Sequence, residues 1–133
     1  MKPFVLTPKM RTLAGTFYPK GWIVAMVNPK DVQSLAERLA ECAAVPDDIL
    51  HLPPETVLKE LGGAVGESDL PLPSVGTEGQ SVRRYVQLAR EGWHGLMVHA
   101  PTEADTERVM EVLRTVPLPY AQKYHRLAIE DLH

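Results

Sequence analysis

The sequence predicts an α+β fold on three observations. Short apolar runs of strand-forming residues alternate with amphipathic helical stretches, and the prolines and glycines gather between these segments. The chain has 133 residues, 44% hydrophobic and 23% charged, which suits one packed domain.

Residues 1–20 carry Pro3, Pro8 and Pro19 among Phe4, Val5, Leu6, Leu13, Phe17 and Tyr18. Large apolar side chains left in water forfeit roughly 1.5–3 kcal/mol each, so this segment is expected to pack on the body, residues 21–133, or on a partner. Gly21 opens the body. Trp22 to Val27 is a continuous apolar run of the kind that forms a central strand. Asn28 then offers a capping oxygen, Pro29 a preset φ and Asp31 a charge that complements the helix dipole. Val32, Leu35, Ala36, Leu39, Ala40 and Ala43 draw one stripe along the helix that follows, which ends near Ala44.

Pro46-Asp47-Asp48 makes a turn into a short strand, Ile49 to Leu52, which Pro53-Pro54 stops. Pro54 to Leu61 reads as a short helix ending at Gly62-Gly63, and residues 62–79 read as a long loop without periodicity. Thr77 and Gln80 stand at capping-box spacing before a stripe of Val82, Tyr85, Val86 and Ala89 that ends at Gly92. Trp93 to Ala100 is the third strand. A helix capped near Thr102 and Asp105 turns Val109, Val112, Leu113 and Val116 inward. After Pro117 and Pro119, Tyr120 to Ile129 reads as one last strand. It sends Ala121, Lys123, His125, Leu127 and Ile129 to one side and Tyr120, Gln122, Tyr124, Arg126 and Ala128 to the other.

This order predicts a ferredoxin-like split β-α-β sandwich: a four-stranded sheet, helices on one face, and a helical and loop insertion between the second and third strands. The other face then needs a cover. Trp22, Trp93, Met26, Met97 and Tyr124 favour a second subunit there, hence a homo-oligomer through an open sheet face. The competing expectation is a monomer whose N-terminal segment folds across that face.

Composition excludes several function classes. The single cysteine, Cys42, permits no intrachain disulfide, and no apolar stretch is long enough for export or a membrane span, so a cytoplasmic protein is expected. The net charge is −3, yet residues 1–20 hold Lys2, Lys9, Arg11 and Lys20 with no acid, leaving −7 on the rest. An acidic body repels nucleic acid, so any attachment through that basic segment would be weak and salt-sensitive.

Gly21-Trp22-Ile23-Val24-Ala25, the capped helix after Asn28-Pro29, Gly92-Trp93-His94 and the ending Leu127-Ala128-Ile129-Glu130-Asp131-Leu132 together resemble small bacterial domains grouped with general stress proteins. The resemblance spans residues 21–132. It implies a bacterial α/β domain and no catalytic constellation.

Chemical signatures are sparse. No HxH, HExxH or CxxC spacing marks a metal site, no phosphate-binding Gly-rich loop or nucleophile elbow is present, and no neighbour in sequence activates Cys42, so neither metal nor cofactor is expected. His94 and His99, an odd number apart on one strand, should leave opposite faces. His51 on another strand can approach either one. Tyr120, Tyr124, His125 and Arg126 gather aromatic and cationic groups suited to an anionic ligand or a partner surface.

The leading expectation is therefore a non-enzymatic binding, regulatory or assembly module that works through protein contacts, with a small anionic ligand as an option. A small dimeric enzyme using His94, His99 or Tyr124 for proton transfer is the alternative. Weak nucleic-acid binding through Lys2, Lys9, Arg11 and Lys20 is the third.

Overall fold

The computed structural model describes residues 2–3, 19–42, 48–61, 77–125 and 129–132. Most of the 62–79 loop lies outside them, as do Lys9, Arg11, Arg126 and the side chains of Lys2, Cys42, Thr77 and Gln80. The described elements in chain order are β1 (Lys2–Pro3), β2 (Trp22–Val27), α1 (Val32–Cys42), β3 (Ile49–Leu52), α2 (Pro54–Thr56), α3 (Thr77–Arg90), β4 (His94–His99), α4 (Glu103–Leu113), β5 (Tyr120–Tyr124) and β6 (Ile129–Asp131). A 3₁₀ turn, Pro29–Asp31, leads into α1, and a π-helical turn, Val57–Leu61, continues α2.

The start signals act where the sequence places them. Asn28 Oδ1 accepts from the Lys30 amide at 3.1 Å, and Thr102 Oγ1 accepts from the Asp105 amide at 3.1 Å. Gly21 (φ 82°) and Gly92 (φ 100°) occupy the left-handed region where a side chain is strained, immediately ahead of β2 and between α3 and β4.

The strands form one sheet in the order β1-β3-β4-β2-β5-β6. Five of them, β2 to β6, pair with one another antiparallel, and Lys2–Pro3 adds in parallel to the β3 edge. The fold is thus α+β, with more strands than the four expected. One reason is that Tyr120 to Ile129 is a hairpin and not a single strand, since Tyr124 pairs directly with Ile129. Partners across a hairpin share a face, so Ile129 packs with Tyr124 and not with Lys123 as simple alternation predicts. Residues 125–128, His-Arg-Leu-Ala, contain no Gly, Pro, Asn or Asp to announce a reversal.

The larger correction concerns the expected open face. Ile23, Ala25, Val27, Ile49, Leu96, Val98 and Ala121 point to one side, where α1 and α4 cover them through Leu35, Leu39, Val109 and Leu113. Arg38 Nη1 donates to Thr115 Oγ1 at 2.8 Å and ties α1 to the end of α4. On the other side Val24, Met26, Leu50, Leu52, Met97 and Tyr124 meet Val57, Leu61, Val82, Tyr85 and Leu88. Helices therefore lie on both faces. The segment expected to be an insertion supplies the second layer, because an apolar stripe shows that a helix has a buried side without saying which side of a sheet it covers. Among the described residues the exposed large hydrophobic is Leu58, at 37%, so these residues leave neither sheet face as an open apolar surface. No described helix is long and apolar enough to cross a membrane.

Packing of the second layer yields one prediction. Gly95 pairs with Leu52, and a Cβ built on Gly95 would meet the Leu52 Cβ at 3.0 Å. Gly95→Ala is expected to lower stability by ~1–3 kcal/mol through overpacking. An unchanged urea midpoint would show that Leu52 yields freely.

Candidate ligand-binding site

Alternation along β5 sends Ala121 and Lys123 towards α4, and Gln122 and Tyr124 towards α3. Lys123 is only 4% exposed. Its Nζ donates to the carbonyl of Ala100, where β4 has just ended, and to Thr106 Oγ1 at 2.9 Å. The Thr106 hydroxyl donates in turn to the Thr102 carbonyl at 3.0 Å, so it receives the lysine as an acceptor. The cap that starts α4 and the end of β4 thereby clamp the amine in place.

Lys123 lines a cavity of about 240 Å³ together with Thr102, Thr106, Arg114, His125 and Glu130. Burial lowers the Lys123 pKa from its ordinary value, and Asp105, Glu130 and Glu103 pull it partly back up. His125 Nε2 lies 2.8 Å from Glu130 Oε1, a bond that spans the β5–β6 hairpin. Glu103 and Glu107 line this cavity as well as Glu130; all three are exposed, so water partly screens their charge, whereas Lys123 is sheltered.

The structure divides the cluster expected from sequence. His125 reaches the cavity, whereas Tyr124 is fully buried on the opposite face with its hydroxyl 3.1 Å from that of Tyr85. Tyr120 meets the edge of the Tyr85 ring at 5.4 Å, on that same far side. Adjacency in sequence had grouped residues that a strand separates. Sequence reasoning missed Lys123, Arg114, Thr102 and Thr106. The available signal was a lysine in phase with Ala121 at an inward strand position, where an ion must find partners.

The histidines fall into two places. His94 and His99 do leave opposite faces, and Tyr124 is sealed in the core. His99 tilts against Trp22 at 5.1 Å, with Nδ1 3.9 Å from Asp48 Oδ2. His51 and His94 stack at 5.1 Å with an interplanar angle of 10°, and His51 Nε2 lies 2.9 Å from His94 Nδ1. They are diagonal neighbours across β3 and β4, because His51 pairs with Leu96. Among the described residues no three His, Cys, Asp or Glu converge to hold a metal ion.

The paired imidazoles carry a pH prediction. Burial lowers both pKa values, for His51 with a further contribution from His94, while Glu55 opposes. The unfolded chain protonates near 6.5 and the folded chain only at lower pH, so this pair favours the fold fully above 6.5 and progressively less as pH falls through the lowered values. Urea unfolding at two pH values should show an acid-side loss of stability that shrinks in His51→Gln. An identical pH dependence in that variant would refute it.

Neither a protein-family model, nor a curated protein, nor a solved structure matches this chain.

Proposed function

We propose that this domain is a non-enzymatic binding module that holds a small anion, best a short carboxylate, in the Lys123 cavity. One observation carries the reading: a lysine ammonium is kept almost out of water at the wall of a small cavity that Arg114 and His125 also line. The ammonium's hydrogen-bond partners are neutral oxygens, and the nearby carboxylates of Asp105, Glu130 and Glu103 offset its burial only in part, so an anion entering the cavity adds a direct partner. About 240 Å³ lies just under the usual range for ligand pockets, which favours a ligand of few heavy atoms.

A regulatory role through protein contacts fits such a module, with ligand occupancy read out by a partner. The ferredoxin-like reading finds support in the order β3-β4-β2-β5 with antiparallel neighbours, elaborated by β1, β6 and a second helical layer. The likeness to general stress proteins rests on the motifs quoted above.

Calorimetric titration with oxalate, succinate and inorganic phosphate tests the proposal. Saturable binding of oxalate to the parent protein and its loss in Lys123→Met are expected. Absence of binding by all three anions, or equal binding by the variant, would overturn it.

A further inference from the structure

Besides attracting an anion, Lys123 has the surroundings of a carbonyl-reactive amine. A neutral amine has two N–H groups and one lone pair, and two protein acceptors hold Nζ: the Ala100 carbonyl and Thr106 Oγ1. With both N–H groups directed at fixed oxygens, the lone pair takes no part in either bond, on a residue that lines the cavity. Resting on the carboxylate-binding reading above, we infer that Lys123 captures short 2-oxo carboxylates as an imine.

The other groups suit the steps. Arg114 offers a guanidinium to the carboxylate, and its fork matches that group. The Lys123 nitrogen attacks the 2-oxo carbon, forming the C–N bond as the C=O π pair moves to oxygen. That oxygen takes a proton, for which His125, held by Glu130 at 2.8 Å, is the donor on the cavity wall. Nitrogen gives up one proton, the hydroxyl leaves as water after a second protonation, and a C=N bond remains. The balance is amine plus ketone plus one proton giving iminium plus water, with no oxidant or reductant. The iminium keeps one N–H, which either oxygen can still accept. Burial supports the chemistry by lowering the cost of shedding the ammonium proton. The product is a reversibly loaded lysine, so the module would report the level of a 2-oxo acid through a covalent but hydrolysable bond.

The test is trapping by cyanoborohydride with pyruvate as probe and oxalate, which forms no imine under these conditions, as competitor. Intact-mass and peptide analysis should find one reduced adduct, on Lys123, forming about tenfold or more faster than on exposed Lys20, Lys30 or Lys59. Oxalate should suppress it. Lys123→Arg and Lys123→Met should lack it, thermal melts verifying that each variant is folded, and His125→Gln should slow trapping by about tenfold or more. If pyruvate and oxalate bind saturably but adducts fall equally on the surface lysines, the imine is refuted and the anion site stands. If neither binds and no selective adduct forms, both fall.

Discussion

Lys123→Met is expected to abolish carboxylate binding while changing folding stability by less than ~1–2 kcal/mol. The two effects separate because the residue sits between opposing terms. Its ammonium loses hydration on burial, a cost that methionine of similar length does not carry. Against that, the Ala100 carbonyl and the Thr106 hydroxyl each lose a donor, on the order of 1 kcal/mol apiece. Oxalate titration reads the first outcome and urea unfolding the second. The pH behaviour follows in sign. With the folded-state pKa held below the ordinary 10.5, the unfolded chain binds more protons between the two values, so stability rises with pH across that window and the full cost is present below it. Lys123→Met should flatten this alkaline rise. A variant that binds oxalate like the parent, or unfolds outright, would show that the lysine is a structural strut.

Tyr85→Ala should be the most damaging single substitution in the second layer. Tyr85 is fully buried on α3, its ring meets Tyr120, and its hydroxyl donates to Gln122 Oε1 at 2.9 Å beside the Tyr124 hydroxyl at 3.1 Å. Truncation is expected to cost ~3–5 kcal/mol, a large share of the stability of a domain this size. Tyr85→Phe keeps the ring and removes the donor, for ~1–3 kcal/mol. The pair of variants also examines how the sheet is covered. If α3 is the cover, Tyr85→Ala exposes Val24, Met26 and Met97, and the destabilised protein should bind a hydrophobic dye and associate. A urea midpoint for Tyr85→Ala within error of the parent would mean that α3 contributes little to that face.

Much of the fold was legible because its signals are local. The Trp22–Val27 run, the Asn28-Pro29 start and the Leu35-Ala36-Leu39 stripe each depend on residues a few positions apart, and the structure places strand, cap and helix there. What escaped depends on residues far apart. Nothing within residues 77–90 states which sheet face Tyr85 will meet, so the second helical layer was not readable. The reversal between Tyr124 and Ile129 lacks turn residues, so two strands looked like one. The site was half legible for the same reason: His125 was in view, but Arg114, Thr102 and Thr106 come from α4 and its ends. The stacking of His51 on His94 likewise follows from the diagonal register of β3 on β4.

The most direct test of the Lys123 site is a pH titration of the lysine Cε resonances in isotopically labelled protein, assigned through Lys123→Met, with and without oxalate. A sheltered amine at an anion site predicts that Lys123 titrates below the ordinary lysine value and that oxalate moves its midpoint upward. Titration near 10.5, indifferent to oxalate, would contradict the account.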